Sequence, residues 1–192
     1  MSHRFQDRYR ISSTRLQNWD YSRNGLYFVT INTQGQEEYF GEIEKGHMYL
    51  SNLGSIADIL WYEIKNHFDF VELDQFVVMP NHVHGILGIK NPENYETGIR
   101  EMEVFFLDKK SDNSPGEKRK GKQEKNALSS IIGSYKSAIL KHAHRLNYRF
   151  SWQSRFYDQI IRDEKSLINI SSYIANNISN WDKDSLNKKW EL

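Results

Sequence analysis

The sequence predicts an α+β fold in which helices pack on a largely antiparallel sheet. Short β-branched and aromatic runs alternate with stretches of helical period, and one pair of runs is separated by only Pro80-Asn81, a link too short for a parallel crossover. The order read along the chain is strand, hairpin, helix, strand pair, helix, strand, helix, which gives an α+β sandwich with helices packed on a sheet. With 192 residues, 38% of them hydrophobic and 14% aromatic, there is material for one well-packed domain.

The first 24 residues are polar and basic (Arg4, Arg8, Arg10, Arg15, Arg23) and read as an arm. Leu26 to Asn32 follows Asn24-Gly25 and is rich in residues that suit a pleated surface, so it is the first strand. Tyr39–Ile43 and His47–Leu50 flank Lys45-Gly46 as a hairpin. Leu53, Ile56, Ile59, Leu60, Ile64 and Phe68 recur at helical spacing, with Asn52 placed to cap that helix. Val71–Met79 and His82–Ile89 form the strand pair around Pro80-Asn81.

Residues 91–125 change character. Lys109, Lys110, Lys118, Arg119, Lys120, Lys122 and Lys125 crowd among Ser, Gly, Asn and Pro, which predicts a flexible basic insertion with a short ordered piece at Val104–Leu107. The helical period returns at Leu128, Ile131, Ile132, Tyr135, Ile139, His142 and Leu146. Phe156–Ile161 reads as a short strand, and Asp163 caps a last helix with the stripe Leu167, Ile170, Ile174 and Ile178. Residues 25–181 thus form the domain and 182–192 a tail.

The absence of cysteine excludes disulfides and thiolate metal sites. No apolar run approaches the ~20 residues of a membrane helix, and the N-terminus lacks an apolar signal core, so a soluble cytoplasmic protein is expected. The formal net charge of +1 conceals segregation. Residues 35–75 hold nine acids against Lys45 and Lys65, whereas residues 126–162 hold Lys136, Lys141, Arg145, Arg149, Arg155 and Arg162 against Asp158 alone. One basic face on a near-neutral molecule suits a polyanion, although solvated helix faces also carry charge runs.

The chemistry centres on His82-Val83-His84. Alternation along a strand sends both imidazoles to one face, where they can grip a metal ion or serve as ordinary sheet-face residues. Two imidazoles are too few for a structural zinc site and leave room for substrate at a catalytic divalent ion. On the last helix, Tyr173 and Asn177 are four residues apart and share a face. If that face packs over the histidines, Asn177 offers an oxygen ligand and Tyr173 a phenol beside it. A tyrosine next to a Lewis acid suits nucleophilic attack on phosphorus, forming a phosphotyrosine ester that a second hydroxyl can resolve. Tyr157 and Tyr135 compete for the nucleophile's role. His142 and His144 lie roughly 200° apart around a helix and cannot chelate together.

These residues carry a resemblance. His82-Val83-His84 resembles the signature of HUH endonucleases, and Tyr173-Ile174-Ala175-Asn176-Asn177 resembles the nucleophile helix of the single-tyrosine HUH transposases. Pro80-Asn81-His82 and the run Trp152 to Arg162 resemble the REP-associated tyrosine transposase branch. The similarity runs from about Tyr21 to Trp181 around the insertion, and departs from the family where Ile178 stands in place of a frequent proline. It implies a ferredoxin-like core, a single-stranded DNA substrate presented by a hairpin, Mg²⁺ or Mn²⁺, and nicking through a 5′-phosphotyrosine. It further implies His82, His84 and Asn177 as metal ligands and Tyr173 as nucleophile.

Lys136, Lys141, Arg155 and Arg162 are candidates for phosphate contact, and Trp152 for base stacking or core filling. Such a protein would be nucleoid-associated, as a monomer or a homodimer. The alternatives are a catalytically silent DNA hairpin-binding protein and an RNA-processing metalloprotein.

Overall fold

A computed structural model describes residues 19–90 and 128–187. Most of the N-terminal arm, the basic insertion with Val104–Leu107, and residues 188–192 lie outside the described residues.

Four strands form one antiparallel sheet in the order β4-β5-β1-β6: β1 is Gly25–Asn32, β4 Val71–Met79, β5 His82–Ile89 and β6 Tyr157–Ile161. A hairpin of β2 (Gly41–Glu44) and β3 (His47–Leu50) stands apart as a two-stranded sheet. Its turn residues Lys45 and Gly46 have φ of 49° and 76°, the left-handed pair that a tight hairpin needs. Helix α1 (Asn52–Tyr62) and the single turn α2 (Ile64–His67) precede β4. Helix α3 (Leu128–Arg145) lies between β5 and β6, and α4 (Glu164–Ala175) follows β6. Without the small hairpin and α4, the order is the β-α-β-β-α-β of ferredoxin-like folds. The α+β expectation holds.

Period-two alternation divides the sheet's residues between two cores. Tyr27, Val29 and Ile31 of β1 with Val83, Leu87 and Ile89 of β5 meet Leu53, Ala57 and Trp61 of α1 and Ile131, Ile132, Tyr135 and Ile139 of α3. Leu26, Phe28, Ile86 and Ile161 face the other way and meet Ile174, Leu167 and Ile170 of α4. Gly85 allows α1 to approach β5: a Cβ there would stand 2.1 Å from Cζ2 of Trp61.

Three expectations are corrected. The cap of α1 is Ser51, whose hydroxyl accepts from the Gly54 N–H at 3.0 Å, while Asn52 is the first helical residue. The stripe of α3 ends at Ala143, and Leu146 is exposed because the helix has already ended. The last helix stops at Ala175 and does not continue to Ile178, since Asn176 leaves helical geometry and its side chain donates back to the Ser172 carbonyl. Asp163 does cap that helix, accepting from the Ser166 N–H at 2.8 Å.

Candidate active site

The β4–β5, β1–β5 and β1–β6 registers set Val77, His84, Thr30 and Tyr157 in one row, and Met79, His82 and Asn32 in the next. Directly paired residues of antiparallel strands point to the same face, here the face that α4 covers. Both histidines are buried, with ring centroids 4.4 Å apart. Nδ1 of His84 is 2.9 Å from the Thr30 hydroxyl, and Nδ1 of His82 is 2.7 Å from Oδ1 of Asn81. Phe28 stacks on the His84 ring at 5.4 Å.

Helix α4 sets Tyr173 against the pair, its hydroxyl 3.2 Å from Nε2 of His84. The ring stays 48% exposed, so the phenol has one side on the histidines and one open to a substrate. Asn177, placed beyond the helix end, is buried and carries an Oδ1 with no hydrogen-bond partner. Past it, the 3₁₀ turn Trp181–Lys183 seats its indole 6.1 Å from the His82 ring. The chain then brings Asp184 back, so that one ligand atom from each of His82, His84 and Asp184 lies within 4.8 Å of the others.

Burial holds both imidazoles neutral, the form that ligates metals. Burial followed by the neighbouring His84 pushes His82 well below the usual histidine value, and burial takes His84 to about 4. Tyr173 is raised above its ordinary 10. Burial is the main cause, a hydrogen bond with Asn177 works against it, and the Asp184 carboxylate adds to it.

The residues fit a divalent cation. Nε2 of His82, Oδ1 of Asn177 and Oδ1 of Asn32 are buried acceptors without partners on the same side of the sheet. A buried acceptor left unpaired costs about 1–3 kcal/mol. With the Asp184 carboxylate, which lies within 4.8 Å of the histidine nitrogens, they supply the nitrogen and oxygen types that divalent ions take.

His82, His84, Tyr173 and Asn177 thus come together. The other candidates do not join them. Nζ of Lys136 donates to the carbonyls of Gln153 and Arg155 at 2.8 and 2.9 Å, holding the loop before β6. Trp152 packs among Phe40, Tyr135 and Phe150 and donates its indole N–H to the Lys136 carbonyl. Lys141 is exposed on α3, in the layer across the sheet. Arg155 and Arg162 flank β6, the edge strand on the outer side of β1. Tyr135 is buried on the opposite face, its hydroxyl donating to the Ala57 carbonyl at 2.9 Å. Tyr157 shares the site's face but stands one strand further away, edge-on to Phe28 at 6.4 Å.

Asp184, Thr30 and Asn32 were not singled out in the sequence, and Asn81 was marked only as part of the turn and of Pro80-Asn81-His82. The strand periodicity that pairs His82 with His84 could have flagged Thr30 and Asn32 once the register was known. Nothing local marks Asp184, which lies in the segment read as a tail.

No protein-family model matches the chain. An uncharacterised protein of Haemophilus influenzae is 34% identical over 179 residues, covering 91% of each sequence. A protein of the same organism described as a putative REP-associated tyrosine transposase is 26% identical over 161 residues, covering 82% of this chain and 72% of its own length. Among solved structures, a REP-associated tyrosine transposase bound to a REP hairpin superposes with a TM-score of 0.56 at 17% identity, covering 88% of this chain and 74% of its own. In sequence and in fold, the chain resembles the REP-associated tyrosine transposases.

Proposed function

We propose that the chain, which belongs to one family with the first of those Haemophilus influenzae proteins and is transposase-like in fold, nicks and rejoins single-stranded DNA through Tyr173. The observation that carries this reading is the convergence of a half-exposed phenol, two neutral imidazoles and an unpartnered amide oxygen in one place.

In this reading His82, His84 and Asn177 hold a divalent ion, with Asp184 as a further oxygen donor that balances its charge. Mg²⁺ or Mn²⁺ bound there supplies Lewis-acid polarisation of a phosphate oxygen. Oη of Tyr173 attacks phosphorus, the P–O3′ bond breaks, the phenol loses its proton and the departing 3′ oxygen gains one. The product is a 5′-phosphotyrosine, which a 3′-hydroxyl reverses by attack on the same phosphorus. Asp184 opposes loss of the phenolic proton while its charge is unmatched, and no longer does so once that charge is neutralised.

The substrate follows from the solved relative, which is bound to a REP hairpin. A DNA hairpin presenting a single-stranded end is the corresponding ligand here. Arg155 and Arg162, at the two ends of the edge strand, are the basic side chains best placed to meet its phosphates. Lys136 is committed to backbone carbonyls, and Lys141 lies across the sheet.

The test is incubation with hairpin DNA and Mn²⁺, scored as an SDS-stable protein–DNA band. Wild type should form the band, and Tyr173→Phe should bind the hairpin without forming it. A band of normal yield from Tyr173→Phe overturns the assignment. Hairpin binding by wild type with no adduct under any divalent ion would favour a binding protein that no longer cuts. Cleavage of a matched RNA hairpin in place of DNA would favour RNA processing.

A further inference from the structure

Resting on that reading of the site, the geometry points to Asn81 as a positioning residue: its amide presets the tautomer of His82 and ties the Asp184-bearing segment to the histidine strand.

The orientation of the Asn81 amide follows from its partners. Nδ2 lies 2.8 Å from the carbonyl oxygen of Leu186 and 3.2 Å from that of Gln36. Both are backbone carbonyls and can only accept, so the NH₂ end of the amide must face them. Oδ1 is therefore the atom 2.7 Å from Nδ1 of His82. A carbonyl oxygen only accepts, so Nδ1 carries the imidazole hydrogen. A neutral ring has one such hydrogen, which leaves the lone pair on Nε2. That Nε2 is the buried acceptor without a partner.

His84 is held differently. Its Nδ1 faces the Thr30 hydroxyl, which can donate or accept, so that contact alone fixes no tautomer. His82 is the ring whose ligating nitrogen is set in advance, by a side chain itself anchored to two backbone carbonyls. Asn81 is 1% exposed, and its carbonyl accepts from the Thr33 N–H at 2.9 Å, so the anchor has little freedom to turn.

The same amide joins separate pieces of chain. Leu186 follows Asp184 by two residues, and its N–H bonds back to the Asp184 carboxylate at 2.8 Å. The bond from Asn81 to the Leu186 carbonyl thus fastens the turn that presents Asp184 to the strand that presents His82. A ligating histidine commonly donates its other nitrogen to such a partner, and losing the partner costs roughly 10–100-fold in metal affinity.

The test uses the full-length protein with ¹⁵N-labelled histidine, free of metal and DNA, so that it reads the tautomer independently of any nicking. Long-range ¹H–¹⁵N correlation should show His82 protonated at Nδ1 in wild type. A His82 protonated at Nε2 overturns the proposal outright, whatever Tyr173 does in an adduct assay. In Asn81→Ala the Nδ1–H form should give way to a mixture, and Mn²⁺ affinity by calorimetry should fall about 10–100-fold. Unchanged tautomer and affinity in a folded Asn81→Ala protein also overturn it. Asn81→Asp separates the two duties, because a carboxylate oxygen still accepts from Nδ1 but offers Leu186 no donor. There His82 should keep its tautomer while amide exchange at Leu186 and Asn187 accelerates. Exchange at wild-type rates would refute the tether. Should the nicking assay fail while these results hold, the positioning role stands and only the reaction assigned to the site falls.

Discussion

The two faces of the central sheet are built from alternate residues of the same strands, yet they treat polar atoms differently. The face under α1 and α3 buries Trp61, Tyr27, Tyr135 and a continuous set of aliphatic side chains, and the Tyr135 hydroxyl reaches a carbonyl. Its Trp61 Nε1 is a buried donor without a partner, and the buried carboxyl of Asp158, paired with Val29, shares that face. The face under α4 is apolar at one end, around Phe28, Ile86 and Ile174, and polar at the other. There the unpartnered atoms are acceptors: Asn32 Oδ1 and His82 Nε2 on directly paired residues, and Asn177 Oδ1. An orphan donor is a packing cost, whereas orphan acceptors on one face have a common remedy in a cation. One face is closed by apolar packing, and the other leaves buried acceptors beside two histidines.

That contrast can be broken most forcefully at Trp61. Trp61→Ala should cost about 3–5 kcal/mol in denaturant unfolding, and Gly85→Ala, which drives a Cβ into the same indole, about 1–3 kcal/mol. Neither residue faces the histidines. If the surviving folded protein loses Mn²⁺ affinity in proportion to stability, the two faces are not separable.

On the other face the effects should appear in binding. Asp184→Asn should weaken Mn²⁺ by about tenfold, equivalent to ~1.4 kcal/mol, measured as a smaller Mn²⁺-induced rise in Tm. Asn177→Leu removes an unpartnered buried oxygen together with the hydrogen bond to Tyr173, so the metal-free protein should stay within about 1 kcal/mol of wild type, with the Mn²⁺ response diminished. Destabilisation well beyond the loss of one hydrogen bond would mean the oxygen already has a structural partner.

The smallest contrast is between two lysines of α3. Lys136→Met gives up two bonds to loop carbonyls and should cost about 1–2 kcal/mol. Lys141→Met should change stability by less than about 0.5 kcal/mol. Equal losses would remove the distinction between a structural and a surface lysine.

What the sequence determined by itself was local. The spacing of His82 and His84 places them on one face because strand side chains alternate, whatever else the chain does. Asp163 before a helical stripe caps α4, and Lys45-Gly46 turns a hairpin, because those bonds and dihedral angles close within a few residues. The sequence also paired Tyr173 with Asn177, although the reason offered was helical spacing and the helix ends before Asn177. What brings that oxygen into place is the path of the turns beyond the helix.

Only the tertiary structure decided which long-range partners meet. Lys136 carries a charge that looks available for phosphate until the loop carbonyls are seen on it, and Trp152 looks ready to stack a base until Phe40 and Phe150 are found against its ring. Asp184 and the Asn81 amide have no periodicity to announce them. Their roles arise where a turn from the end of the chain is fastened to a hairpin in its middle. Hydrogen bonds and metal ligands act over about 3 Å in space and are indifferent to separation along the chain, so a linear pattern records them only when both partners fall within one element.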